Sequence, residues 1–508
     1  MTLSIILLTI VYGLIAYAIF TLRKRHSYWQ TQGVACEEPH FLFGNLWGMQ
    51  SKRSFAEIWE QYYEQFKGSG PFAGFYWFSK PGVFALDPEL IKQILVKDFT
   101  KFSDRGLYHN EKDDPLSGQL FFLDGLKWRN MRNKLSPTFT SGKMKFMYPT
   151  VVRVGQELIE VLEQMLEQTA AMGVIEVKDL MARFTTDVIG TCAFGIDCSS
   201  LKDPNAEFRT MGRKAVLNQR HNRFITALMN SFADLARKLH MKMIPEDVAE
   251  FFMRIVRETV EYREQNQIRR NDFMDMLIDL KNKKLIKSEH GDELTNLTLE
   301  EIAAQALVFF NAGFETSSTT LGFALYELAQ NQEVQDKGRQ EVLEKLAKHN
   351  QEFSYECMKE MQYLQQIILE TLRLYTVLPV INRLALEDYV VPGNPRYVIK
   401  KGMPVLIPAG ALHRDERYYP NPLVFNPDHF SADKVANRDS ILYLPFGEGP
   451  RNCIGLRFGK MQTMVGLALL LKHFKFSTCA ETQKPLTLCK KSFLISTDRG
   501  IYLKVTKI

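Results

Sequence analysis

The stretch "FGEGPRNCIG", Phe446 to Gly455, decides how this chain is read. It surrounds one cysteine, Cys453, with Gly447, Gly449, Pro450 and Gly455, places Arg451 two positions before it, and runs into the apolar segment "LRFGKMQTMVGLALLLKHF". If a helix begins just after Cys453, the sulfur stands at its N-terminus, where the helix dipole and free backbone N–H groups favour a thiolate. The glycines let the backbone pass close to a flat partner, and Phe446 is placed to shield the sulfur from water.

A thiolate offered as one strong ligand beside arginines suggests haem iron, because an anionic sulfur promotes O–O cleavage there. A metal-free reactive cysteine is the rival reading, but no histidine lies nearby in sequence to act as its base. The other cysteines are Cys36, Cys192, Cys198, Cys357, Cys479 and Cys489, so the total is odd and no C-x-x-C pair occurs. Neither a disulfide framework nor a zinc ribbon is supported.

Upstream, Thr298 and Glu301 form a Thr-x-x-Glu capping box that opens a long apolar helix running to about Leu328. Its centre, "FFNAGFETSSTT", is unusually polar for a buried helix. A threonine at position 316 can bond back to the carbonyl of Ala312 and bend or open the helix, and Gly313 lacks a side chain to fill the gap. The pattern predicts either a groove for dioxygen or water, or a kink packed against a neighbour.

Two shorter pairs add to this. In "ETLR", Glu370 and Arg373 share one helix face amid leucines and isoleucines, which predicts a buried ion pair needing further hydrogen bonds. In "WRNMR", Trp128 and Arg132 are four apart and offer an indole N–H and a guanidinium, a clamp for a carboxylate or a cation–π pair.

Length and composition agree with a large core: 508 residues, 45% hydrophobic, with 64 basic against 58 acidic side chains for a net charge of +6. That mild, dispersed excess makes nucleic acid a poor partner. The first twenty residues carry no charge and would span a bilayer core as a helix, with Arg23, Lys24 and Arg25 following them. This order predicts an uncleaved anchor with the remainder in the cytosol. The expected organisation is a transmembrane anchor at 1–22, a polar tether at 23–47 and a catalytic domain at 48–508. Helical periodicity dominates, as in Val154 to Met172. Strand-like pieces are short: Phe72 to Phe78, Gly82 to Asp87 and Gly500 to Val505. Asn282 to Asn296 reads as an exposed loop.

Taken together, the chain resembles a cytochrome P450 over essentially everything after the anchor. Phe446, Gly449, Arg451, Cys453 and Gly455 match the haem-ligand pattern Phe-x-x-Gly-x-Arg-x-Cys-x-Gly. Ala312, Gly313, Glu315 and Thr316 match the oxygen-helix pattern, Glu370 and Arg373 the Glu-x-x-Arg pair, and Trp128 and Arg132 the Trp-x-x-x-Arg pattern. Phrases such as "FSDRG" and "LSPTFTSGKMK" look like the insect microsomal branch that handles foreign compounds.

The resemblance implies a mainly α fold with small β-sheets and a haem b monooxygenase. Cys453 is the implied iron ligand, and Arg132, Arg383 and Arg451, assisted by Trp128 and Arg105, the propionate partners. Thr316 and Glu315 are the implied proton relay. By position, Phe121, Phe122, Val308, Asn311, Ala312, Val377, Leu378 and Phe493 are expected to contact a lipophilic substrate. Electrons are expected from NADPH through NADPH-cytochrome P450 reductase in the endoplasmic reticulum membrane, with cytochrome b5 as a further partner. One departure stands out: His429 occupies the place where the family's Pro-x-Arg-Phe motif has its arginine. A reductase-independent haem-thiolate isomerase or dehydratase, and a non-catalytic haem or lipophile binder, are the competing functional readings. Substrate-stimulated, reductase-dependent NADPH oxidation separates both from a monooxygenase.

Overall fold

The N-terminal apolar run forms one helix, Thr2–His26, with its basic residues gathered in the last turn. Ile5–His26 is long and apolar enough to cross a membrane, and none of it is buried within the protein. The structure is a computed structural model that describes residues 2–48, 53–168, 173–217, 220–282, 286–287, 293–294 and 296–508. The chain forms two units. One comprises Met1–Gly106, Leu378–Leu412 and Ser440–Arg451; the other comprises Leu107–Val377, His413–Asp439 and Asn452–Ile508.

The first unit is built on a four-stranded sheet in the order Phe72–Trp77, Lys80–Ala85, Pro404–Ile407, Ile381–Leu384. Its first two strands are a hairpin that pairs Phe72 with Ala85, Lys80–Ala85 runs parallel to Pro404–Ile407, and Arg383 lies opposite Val405. The segment read as a tether packs on this sheet. Trp29 is buried, its backbone N–H donating to Tyr76 Oη at 3.0 Å and its indole N–H to the Phe75 carbonyl at 3.1 Å. Asn45 Oδ1 accepts from the Tyr76 N–H at 2.6 Å. An indole and an amide buried with every donor matched hold a segment whose polarity alone suggested a loose linker.

The second unit is mostly helical. The Thr298–Glu301 capping box forms as read, and the helix it opens runs from Leu299 to Gln330. It packs against Val177–Ile189 and Leu456–His473, and nearly all of its residues from Ile302 to Ala329 are buried. Gly313 owes its identity to that packing. A Cβ there would stand 2.8 Å from Ile189 Cδ1, so the glycine admits a neighbouring side chain and does not leave a gap. The helix also stays continuous through Thr316. A small sheet, Phe474–Ser477, Tyr502–Lys507 and Val174–Glu176, completes this unit. Most of the expected loop at Asn282 to Asn296 lies outside the described residues; within it Ile286–Lys287 pairs with Glu293–Leu294.

Candidate active site

Within the second unit, the helix after the cysteine begins at Leu456 with Gly455 as its N-cap, so Cys453 precedes the cap by two positions and is exposed. Arg132, from the helix Gly125–Leu135, fixes the residue before it: Nη1 donates to the Asn452 carbonyl and Nη2 to Asn452 Oδ1, both at 2.8 Å. Burial draws the Arg132 guanidinium below its ordinary value, and the Cys453 thiolate opposes that shift. Trp128, one turn earlier on the same helix, is buried. Guanidinium and sulfur thus lie within electrostatic reach of each other before a helix start.

The central helix opens on one stripe. Val308, Asn311, Ala312 and Thr316 retain exposure where most of their neighbours are buried, and at i, i+3, i+4, i+8 they share a face. Thr316 Oγ1 donates to the Ala312 carbonyl at 2.6 Å, the back-bond expected from the sequence. Glu315 turns elsewhere. Its carboxylate accepts from Lys178 Nζ at 3.0 Å and from Thr319 Oγ1 at 3.3 Å, and Lys178 also reaches Ser318 Oγ at 3.1 Å. The fold thus brings Glu315 to Lys178, and Thr316 to the backbone of its own helix.

Glu370 and Arg373, on the helix Gln362–Leu374, are fully buried and joined by two 2.7 Å bonds. Arg373 spends its remaining donors on the carbonyls of His413, Pro422 and Val424. Glu370 also accepts from the Asn426 N–H at 2.9 Å. Burial pulls the Glu370 carboxyl upward, but its bonds from Arg373, His429 and Asn426 outweigh it and leave the group below the usual carboxylate range. His429 enters between two acceptors: Nδ1 lies 3.1 Å from Glu370 Oε1 and Nε2 lies 3.1 Å from the Pro420 carbonyl. A doubly protonated ring satisfies both, so the histidine can restore the charge that the usual arginine would bring. Arg438 backs it, donating to the His429 carbonyl at 2.7 Å and lying over the Tyr419 ring.

Within the first unit, Arg105, Arg383 and Arg451 come together because Asp104 pairs with Leu384 at the end of the Ile381–Leu384 strand. Asn382 Nδ2 donates to the Arg105 carbonyl at 2.9 Å, Arg105 Nη2 to the Arg451 carbonyl at 3.5 Å, and Arg451 lies 3.8 Å from Asp104. Arg383 is 1% exposed, and its Nε has no hydrogen-bond partner among the described residues. Burial, and then the like charge of Arg451, push it down to about 9. A buried cation driven that far calls for an anion, and a haem propionate fits. Gly449 has φ +73°, and a Cβ there would fall 1.9 Å from the Leu95 carbonyl oxygen, so the backbone makes a close approach that only glycine allows. Phe446, in the same segment, is half-buried.

Among the expected substrate contacts, Phe121 and Phe122 are half-buried and meet edge to face at 5.6 Å. Val377 is buried, and its carbonyl accepts from the Ile495 N–H at 2.9 Å, two residues beyond the half-buried Phe493. Leu378 belongs to the other unit and is described only there, as half-buried. The sequence reading missed Asn452, Lys178 and Gln462. Gln462 carried a signal, as a lone amide in an apolar helix; Lys178 carried none, since its partner lies 137 positions away.

A family model described as Cytochrome P450 matches residues 34–505. The chain is 62% identical over 503 residues to Cytochrome P450 6a9 of Drosophila melanogaster, covering 99% of each chain. It is 50% identical over 509 residues to Cytochrome P450 6a8 of the same species, covering 100% of each. To Cytochrome P450 6A1 of Musca domestica it is 49% identical over 498 residues, covering 97% of this chain and 96% of the relative.

Proposed function

This chain belongs to the cytochrome P450 family and is an insect haem monooxygenase, and from that premise we propose that it oxygenates lipophilic substrates, foreign compounds among them, with electrons from NADPH-cytochrome P450 reductase. The observation that carries the proposal is the exposed Cys453 set before a helix, with the Arg132 guanidinium beside it. Haem, when bound, supplies the activation of O2 and the transfer of one oxygen atom.

The chain's own residues do the rest. Cys453 would hold the iron through its sulfur, and Arg132 fixes the adjacent Asn452. Arg383 and Arg451 neutralise carboxylates, with Arg105 and Trp128 assisting. Gly449 lets its backbone pass close to that of Leu95. Thr316 holds a proton at Oγ1, bonded to the Ala312 carbonyl, and passes it to the oxygen side of the pocket. Glu315 completes the proposed relay only by turning from Lys178, the partner it holds here. Phe121, Phe122, Val308, Asn311, Ala312, Val377 and Phe493 of the second unit are a largely apolar set, which favours lipophilic molecules, and Leu378 of the first unit is a further candidate contact. Residues 1–22 anchor the protein in the endoplasmic reticulum membrane, 23–47 connect, and 48–508 carry the chemistry on the cytosolic side, where cytochrome b5 is a second electron donor.

The carbon monoxide difference spectrum of the reduced, membrane-expressed protein tests the centre of this account. A strongly red-shifted Soret band, lost in Cys453→Ser, is expected. A band at the position of histidine-ligated haem would remove the thiolate. Reductase-dependent NADPH oxidation that rises with a lipophilic substrate tests the electron source.

A further inference from the structure

Gln462 is fully buried in the helix Leu456–His473, and one side of its amide is overcommitted while the other is idle. Nε2 donates to the Gly313 carbonyl at 2.8 Å and contacts Ser317 Oγ, both on the central helix. Oε1 is buried and has no hydrogen-bond partner among the described residues. A buried acceptor left unsatisfied costs stability, and a similar apolar side chain would avoid that cost. Stability therefore does not account for an amide at this position.

Its location does. Gly313 follows Ala312, whose carbonyl receives the Thr316 hydroxyl, and Ser317 follows Thr316. The turn from Ala312 to Ser317 is gripped by Gln462 through carbonyl and hydroxyl, while Ile189 packs on Gly313. Gly459, one turn before Gln462, faces the same turn: a Cβ there would make an ordinary contact, 3.9 Å from Ser317 Oγ. The gripping helix is the one that Cys453 precedes.

We propose that Gln462 is a positioning residue for oxygen insertion, tying the turn that carries Thr316 to the helix that follows Cys453. A packed helix moves as a unit, so the tether keeps the Thr316 hydroxyl in one place relative to that helix through turnover. A small displacement of such a group is costly because proton delivery depends on its reach. The proposal rests on the proton role of Thr316 given above.

The experiment compares full-length Gln462→Met and Thr316→Ala, each reconstituted with reductase in membranes. Gln462→Met preserves bulk and removes both hydrogen bonds. Its haem content and carbon monoxide spectrum should match the parent, and its thermal midpoint should be equal or higher. Product formed per NADPH should fall about threefold to tenfold, with a matching rise in peroxide. Amide exchange over residues 311–318 should accelerate, a readout independent of turnover. Gln462→Leu, which cannot donate, should uncouple likewise, and Ser317→Ala should do so less. Uncoupling in Thr316→Ala with full coupling in Gln462→Met would overturn the tether and spare the relay. Full coupling in both would overturn the relay and the tether with it. Should Gln462→Met fail to retain haem, Ser317→Ala decides: unchanged coupling and exchange would overturn the proposal.

Discussion

Arg373 and Arg383 are both taken out of water by the fold, and they are held in opposite ways. Arg373 places its donors on two carboxylate oxygens and three carbonyls. Arg383 has one bond to its neighbour's carbonyl, an idle Nε and a second guanidinium close by. The first arginine completes a network within the polypeptide. The second is a buried cation for which the described residues supply little counter-charge. Burial of charge alone thus does not separate structure from site; the separation lies in whether the chain supplies the counter-charge.

Breaking the satisfied network should have the largest effect. Glu370→Ala leaves Arg373 buried without a counter-charge, at a cost of about 3–5 kcal/mol. It should yield little folded protein, as measured by thermal unfolding and haem recovery. His429→Leu removes the donors to Glu370 and to the Pro420 carbonyl, at a cost of about 1–3 kcal/mol. The loss is smaller because Arg373 still bonds both carboxylate oxygens. His429→Arg, which restores a fixed charge, should unfold close to the parent if the imidazole is charged in place. A large gain would mean the native histidine is neutral.

Arg383→Met sharpens the other side of the comparison. The polypeptide should lose no thermal stability before haem is added, because the variant removes an unsettled buried charge. Haem should dissociate about tenfold more readily, equivalent to about 1.4 kcal/mol, as read by transfer to an acceptor haem protein. A loss of stability without a change in haem retention would make Arg383 structural.

The smallest effect is expected from pH. The Glu370 carboxyl lies below its ordinary value of 4.5 in the folded protein. Its contribution is therefore fully present above that value and is lost as pH falls through the depressed folded value. As far as this carboxyl is concerned, the thermal midpoint should hold between pH 7 and 5 and fall on further acidification. Glu370→Gln should flatten that acid limb.

How much was legible in the sequence follows the range of each interaction. The capping box, the Glu370–Arg373 pair and the Thr316 back-bond join residues three or four apart, and all appear as read. The Gly313 gap did not survive, because Ile189 comes from a distant segment to fill it. Residues 23–47 read as a polar tether, and polarity gave no sign that Trp29 within it bonds Tyr76 and Phe75 of the sheet. Glu315 showed a carboxylate beside Thr316 in the chain, and gave no sign of Lys178.

By itself the sequence determined the anchor-like helix, the helical class, and the helix that follows Cys453, since these depend on composition, periodicity and spacing within a few turns. Only the tertiary structure decided which charges are settled internally, where Glu315 turns, that His429 sits between two acceptors, and that Gln462 grips the Thr316 turn. Hydrogen bonds are directional and short, so pairings over a hundred residues or more exist only once packing has set the backbone.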